Sequence, residues 1–202
     1  MLLENDPQNE RLKKRVARAQ KLVELSKYYL MARDFSKLVS EECKADERRN
    51  YVVITGGGPG IMEAANRGAF EADYPSIGLN INLPREQQPN PYITPELCFQ
   101  FHYFAIRNLH FLKQAKGLVA FPGGFGTLDE LFEALTLRQT GKMQHIPIIL
   151  FGKQEFWDKI VDFPALVEAG MIDEADLDII YPAETPQQAW SYIKRFHETY
   201  ER

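Results

Sequence analysis

The sequence holds no apolar run near the ~20 residues that a bilayer-spanning helix needs, and its polar opening, MLLENDPQNE, lacks the pattern of a secretory leader. A soluble, cytoplasmic protein without a membrane partner is expected. Basic excess is missing too. The formal net charge is −4, whereas a surface that grips nucleic-acid phosphates needs the opposite sign, so no nucleic-acid partner is expected and the ligand should be small. Cysteine is scarce: Cys43 and Cys98 lie far apart and read as reduced thiols. His102, His110, His145 and His197 show neither HExxH spacing nor clustering, so no metal site is expected.

Two nucleotide-binding signatures are absent as well. No G-x-x-x-x-G-K-[ST] loop occurs, which removes the usual ATPase reading. The glycines of Gly56-Gly57-Gly58-Pro59-Gly60 are not spaced G-x-G-x-x-G, and the next apolar run, Ser76 to Ile81, ends on Asn80 and Asn82 without an acidic residue for a ribose; NAD is disfavoured.

What is present, 202 residues with 45% hydrophobic content, suits a single domain over 1–202, with 1–28 as an N-terminal helical extension. Residues 10 to 43 have few helix breakers and read as one long helix or two consecutive ones. The early part, RLKKRVARAQK, is strongly basic; the later part, through Leu30, Phe35, Leu38 and Val39, has the spacing of a helix on a sheet. Tyr51 to Thr55 is a buried strand that the first glycine cluster breaks before the helix IMEAANRGAFEA. A proline-rich loop, LPREQQPNPYITPE, is expected to run over the surface as a pocket lid or rim. Then come a buried strand at 97–101, a helix at 104–115, a buried strand at 146–151, a helix at 155–169, a short strand at 179–181, and a closing helix with Pro186 at its first position. Alternating buried strands and helices predict an α/β fold: a Rossmann-like, doubly wound parallel sheet with helices on both faces.

The segment from Lys116 to Leu137 organises the rest. Gly117 to Phe121 fits a central strand, and Leu128, Leu131, Phe132 and Leu135 put one helical face on the sheet. Between them, Pro122-Gly123-Gly124-Phe125-Gly126-Thr127 lets the backbone turn sharply and approach a ligand closely. Free N–H groups and the helix dipole favour a phosphate at this end. Thr127 either caps the helix or donates to the anion, and Glu130 either closes a capping box with it or meets another part of the ligand. Ligands of such sheets bind at strand carboxyl ends, so the two glycine turns are expected to share one crevice.

GGGPGIMEAANRGA at 56–69 and PGGFGTLDE at 122–130 resemble the LOG family, the cytokinin riboside 5′-monophosphate phosphoribohydrolases, long labelled lysine decarboxylases. The signature PGGxGTxxE is matched at each fixed position. The resemblance implies a Rossmann-like homodimer or higher oligomer, without a cofactor, that hydrolyses the N-glycosidic bond of a nucleoside 5′-monophosphate such as AMP. It places the catalytic arginine and glutamate on Arg107 and Glu130, and the phosphate loop on Gly123, Gly124, Gly126 and Thr127. Gly56, Gly57, Gly58, Gly60 and Met62 of the first turn are expected to join them in binding substrate. Glu63 either touches the ligand or, the expected role, pairs with Arg67 four residues on. Two departures stand out: the family's opening strand is not seen before Glu10, and Asn108 stands where relatives often have lysine. A non-catalytic binding module resembling the molybdenum-cofactor carriers is the alternative. A pyridoxal decarboxylase is rejected, since Lys113 and Lys116 sit away from the glycine turns.

Overall fold

Strands rich in apolar residues and separated by helical connections pair in parallel, and all six strands among the described residues do so. In the computed structural model, which describes residues 10–46, 51–82 and 88–200, they form two three-stranded ladders. The first runs β1 (Val53–Thr55), β2 (Ser76–Ile81), β3 (Cys98–Phe101); the second runs β4 (Leu118–Ala120), β5 (Ile148–Phe151), β6 (Ile180–Ala183). Val53 lies opposite Ser76 in one ladder and Leu118 opposite Ile148 in the other.

The period-two alternation of β5 shows how the second ladder is covered on both faces. Ile149 and Phe151 point into a core with Tyr28, Ala32 and Val39 of α2 (Lys27–Ala45) and Ala189, Trp190 and Ile193 of α8 (Pro186–Tyr200). Ile148 and Leu150 point the other way, into a core with Leu112 of α4 (Phe104–Lys113), Leu131 and Ala134 of α5 (Phe125–Gln139), and Trp157 of α6 (Gln154–Trp157). The doubly wound architecture is therefore as expected.

Several element readings are corrected. The helical start is two consecutive helices, α1 (Glu10–Leu25) and α2, one of the two forms expected, but the buried face of α2 runs through Tyr28, Ala32, Ser36, Val39 and Cys43 while Leu30, read on the sheet-facing side, is exposed. β3 is an outer strand, with Cys98, Phe99 and Gln100 exposed, so it is not buried as read. The helix expected at 155–169 is two short ones, because Asp162 caps α7 (Phe163–Glu168) by accepting from the Ala165 amide at 3.0 Å, and Pro164 in its first turn has no N–H to continue an earlier helix. At α8 the capping is reciprocal: Thr185 Oγ1 accepts from the Gln188 amide at 3.2 Å and Gln188 Oε1 accepts from the Thr185 amide at 3.2 Å. The opening strand sought before Glu10 falls outside the described residues. No described helix is long and apolar enough to cross a membrane.

Candidate active site

Two strand ends deliver the site. β1 ends at Thr55 and β4 at Ala120, and each feeds a glycine turn and then a helix: α3 (Ile61–Glu71) after the first, α5 after the second. The helix N-caps are Gly60 and Gly124, and neither helix start carries a side-chain cap. Two sets of helix-start N–H groups thus remain for a ligand. The second helix begins at Phe125, earlier than the sequence suggested, so Gly126 and Thr127 lie in its first turn and the capping box of Thr127 with Glu130 does not form. Thr127 instead leans on Gly123, where a Cβ would collide with its side chain.

The first turn is shaped by backbone only glycine takes easily. Gly57 has φ 71° and Gly60 φ 75°. A Cβ on Gly57 would strike the Asn80 amide, and one on Gly56 would come within 2.8 Å of Met62 Sδ. By contrast, a Cβ on Gly60, Gly124 or Gly126 would meet nothing within 4 Å. The peptide surface there is open to a ligand.

α4 joins the two turns. Arg107 lies on its first turn, buried, with Nη1 3.6 Å from where a Gly56 Cβ would stand. Its Nη2 donates to Glu130 Oε1 at 2.7 Å. Phe104 and Phe111 flank the guanidinium at 5.0 and 5.5 Å, a cation–π setting that holds the charge out of water. Nε of Arg107 is buried without a partner. Burial pushes the Glu130 carboxyl above the ordinary glutamate range; Arg107 pulls it back, and Asp129 and Glu133 add to the rise. Beside this pair, Asn108 Nδ2 donates to the Asp129 carboxylate at Oδ2 across 3.0 Å, so the residue where relatives often carry lysine ties α4 to α5 by a hydrogen bond without a cation.

A buried polar network supports the first turn, and the sequence reading did not find it. Asn66 Oδ1 accepts from Thr55 Oγ1 at 2.6 Å, and Asn66 Nδ2 donates to Ser76 Oγ at 3.0 Å. Asn90 Nδ2 lies within hydrogen-bond distance of Gly57 O, Gly58 O and Asn66 Oδ1, at 3.1, 3.2 and 3.0 Å. The described part of the proline-rich loop is thereby latched to the turn. The sequence signal was an amide on the inward face of an otherwise small and apolar helix. Glu63 does not pair with Arg67 as expected: it accepts from the Tyr29 hydroxyl at 2.8 Å, and Arg67 pairs with Glu71 at 2.8 Å.

The profile of a family described as possible lysine decarboxylase matches residues 62–193, most of the chain. This protein belongs to the LOG family. Curated relatives of this LOG-family chain include a probable cytokinin riboside 5′-monophosphate phosphoribohydrolase of Oryza sativa subsp. japonica, 25% identical over 159 residues, covering 75% of this chain and 71% of that one. A cytokinin riboside 5′-monophosphate phosphoribohydrolase of Arabidopsis thaliana is 26% identical over 161 residues, covering 76% and 72%. Among solved structures, the molybdenum cofactor carrier protein of Chlamydomonas reinhardtii superposes with a TM-score of 0.60 at 21% identity, covering 86% of this chain and 89% of that one, a likeness of fold.

Proposed function

We propose that this chain is a nucleoside 5′-monophosphate phosphoribohydrolase, splitting the N-glycosidic bond of AMP or a cytokinin riboside monophosphate to free base and ribose 5-phosphate. The observation that carries the reading is the Arg107–Glu130 pair, 2.7 Å apart, beside helix starts without side-chain caps. The phosphate takes the amides of Gly124, Phe125, Gly126 and Thr127, where a helix dipole contributes roughly 0.3–2 kcal/mol. The ribose then extends toward Glu130. As the C1′–N bond breaks, positive charge develops on the sugar, and the nearby carboxylate stabilises it. Glu130 also orients a water and takes its proton as the oxygen bonds to C1′; the bonding pair leaves with the base, which gains a proton. Arg107 binds phosphate or ribose oxygens through its planar fork, and its charge opposes the rise that burial imposes on the Glu130 carboxyl. Gly56, Gly57, Gly58, Gly60 and Met62 wall the other side.

Names of relatives that act on cytokinin riboside monophosphates support this reading. Decarboxylation gains no such support. Lys113 closes α4, about 9 Å along the axis from Arg107 by helical rise, and Lys116 lies beyond it. Incubating the purified chain with AMP and with isopentenyladenosine monophosphate, and assaying free base, tests the proposal. Release from either supports it; bound nucleotide recovered with intact glycosidic bonds would favour a carrier.

A further inference from the structure

β1 and β4 are end strands of their ladders, and they lie toward each other. At their amino ends both reach His197 of α8: the ring of Tyr51, just ahead of β1, lies 5.7 Å from the imidazole, which donates from Nε2 to the carbonyl of Lys116, just ahead of β4, at 2.6 Å. At their carboxyl ends both reach Arg107, which stands beside Gly56 and bonds Glu130 on the helix that follows β4. The two strands therefore run side by side in one direction. Among the described residues, however, they do not pair with each other, and no strand pairs with β1 on the side away from β2 or with β4 on the side away from β5.

Burial follows the same line. β5, paired on both sides, is buried at every residue, whereas Val53, Ile54, Leu118 and Val119 are only partly buried in the middle of the fold. The outer edge strand β6 carries Pro182, which has no N–H for a further strand; Val53–Thr55 and Leu118–Ala120 carry neither proline nor charge to discourage one. Val53 and Val119 pack on one face with Trp190 and Ile193 of α8, and Leu118 packs on the other with Leu112 of α4.

We infer that the seam between β1 and β4 takes an extended apolar segment of another polypeptide, which pairs in parallel with both strands. Cores lie on both faces, so alternate side chains of the segment all enter apolar surroundings; its residues are apolar throughout and β-branched by preference, roughly four or five in number. Main-chain hydrogen bonds supply the affinity and the two cores the specificity. The carboxyl end emerges between the two glycine turns, where its carbonyls can meet the Arg107 Nε that is buried without a partner. The stretches of this sequence outside the described residues, MLLENDPQN, ERRN, LPREQ and ER, hold no apolar run of that length, so the segment is supplied from elsewhere.

The probe is the peptide acetyl-KKVIVIG-amide, its lysines present for solubility, added to the purified full chain and read by amide hydrogen exchange. Those amides of Val53–Thr55 and Leu118–Ala120 that point into the seam should exchange fast in the chain alone, and at least about tenfold more slowly with peptide bound. N-methylation of alternate peptide nitrogens leaves the side chains in place and should weaken binding at least about tenfold. A nitroxide on the amino end of the peptide should broaden the Trp190 indole signal more than the Gly124 amide, as parallel entry requires. No binding, affinity indifferent to N-methylation, slowing confined to β3 or β6, the reverse nitroxide gradient, or β1 and β4 amides already as slow as those of β5 in the chain alone would each overturn the inference.

Discussion

Arg107 reaches Glu130 across 2.7 Å, linking the first turn of one helix to the second turn of another twenty-three residues on, with 8% and 28% of the two side chains exposed. One buried cation and one half-buried carboxylate neutralise each other beside the first glycine turn, where Arg107 Nη1 stands 3.6 Å from the place of a Gly56 Cβ. A ligand carrying its own anion can take over part of the arginine, and that exchange frees the carboxylate for chemistry.

Glu130→Gln keeps an oxygen for the Arg107 Nη2 bond and so keeps the fold. Base release should fall by about 10²–10⁴ while AMP affinity changes only a few-fold. Calorimetry beside a base-release assay reads the two quantities separately. Undiminished turnover would remove Glu130 from the mechanism.

Arg107→Lys replaces a planar fork held between Phe104 and Phe111 by a point charge. We expect kcat/KM to drop about 100-fold, and thermal melting to show a loss as well. Native kinetics in this variant would mean that the fork is dispensable.

Activity should rise with pH along a limb lying above the ordinary glutamate range near 4.3, because burial makes the Glu130 proton harder to lose. For stability the sign is opposite. The folded state holds that proton more tightly than the unfolded chain, so the contribution is full below the ordinary value and is lost as pH rises through the elevated one. A pH series of kcat/KM and of denaturant midpoints checks both, and Glu130→Gln should flatten each.

Gly57→Ala and Gly124→Ala should separate folding from binding. The first forces a side chain into φ 71° against Asn80 and should cost about 1–3 kcal/mol in denaturation. The second meets open space at φ −96°, so it should melt near the native temperature yet weaken nucleotide binding by obstructing the amide cradle. Equal melting losses in the two would contradict the distinction.

Asn66→Ala and Asn90→Ala each strand buried donors or acceptors, at about 1–3 kcal/mol apiece. Because the two amides share a bond, the double variant should lose less than the sum. Additive losses would show that the network is not one unit.

Much of the architecture was legible because its causes are local. Val53–Thr55 and Ile148–Phe151 are apolar stretches of strand length, and the glycines at 56–60 and 123–126 announce sharp turns wherever they fall. Reading failed where a competing local feature cut in, as Asp162 and Pro164 did within the expected helix at 155–169. It also failed where exposure depends on sheet order: an apolar strand reads as buried whether it ends up central or, like Cys98–Phe101, at an edge.

By itself the sequence determined the element types, the parallel class and the two glycine turns, since periodicity and backbone freedom act within a few residues. Only the tertiary structure decided that Glu130 meets Arg107 and not Thr127, that Asn90 latches onto Gly57 and Gly58, and that Leu30 faces outward from α2. Those outcomes rest on distances between segments far apart in the chain. A carboxylate near a helix start takes whichever donor the packing brings within 3 Å, and no pattern along the sequence encodes that choice.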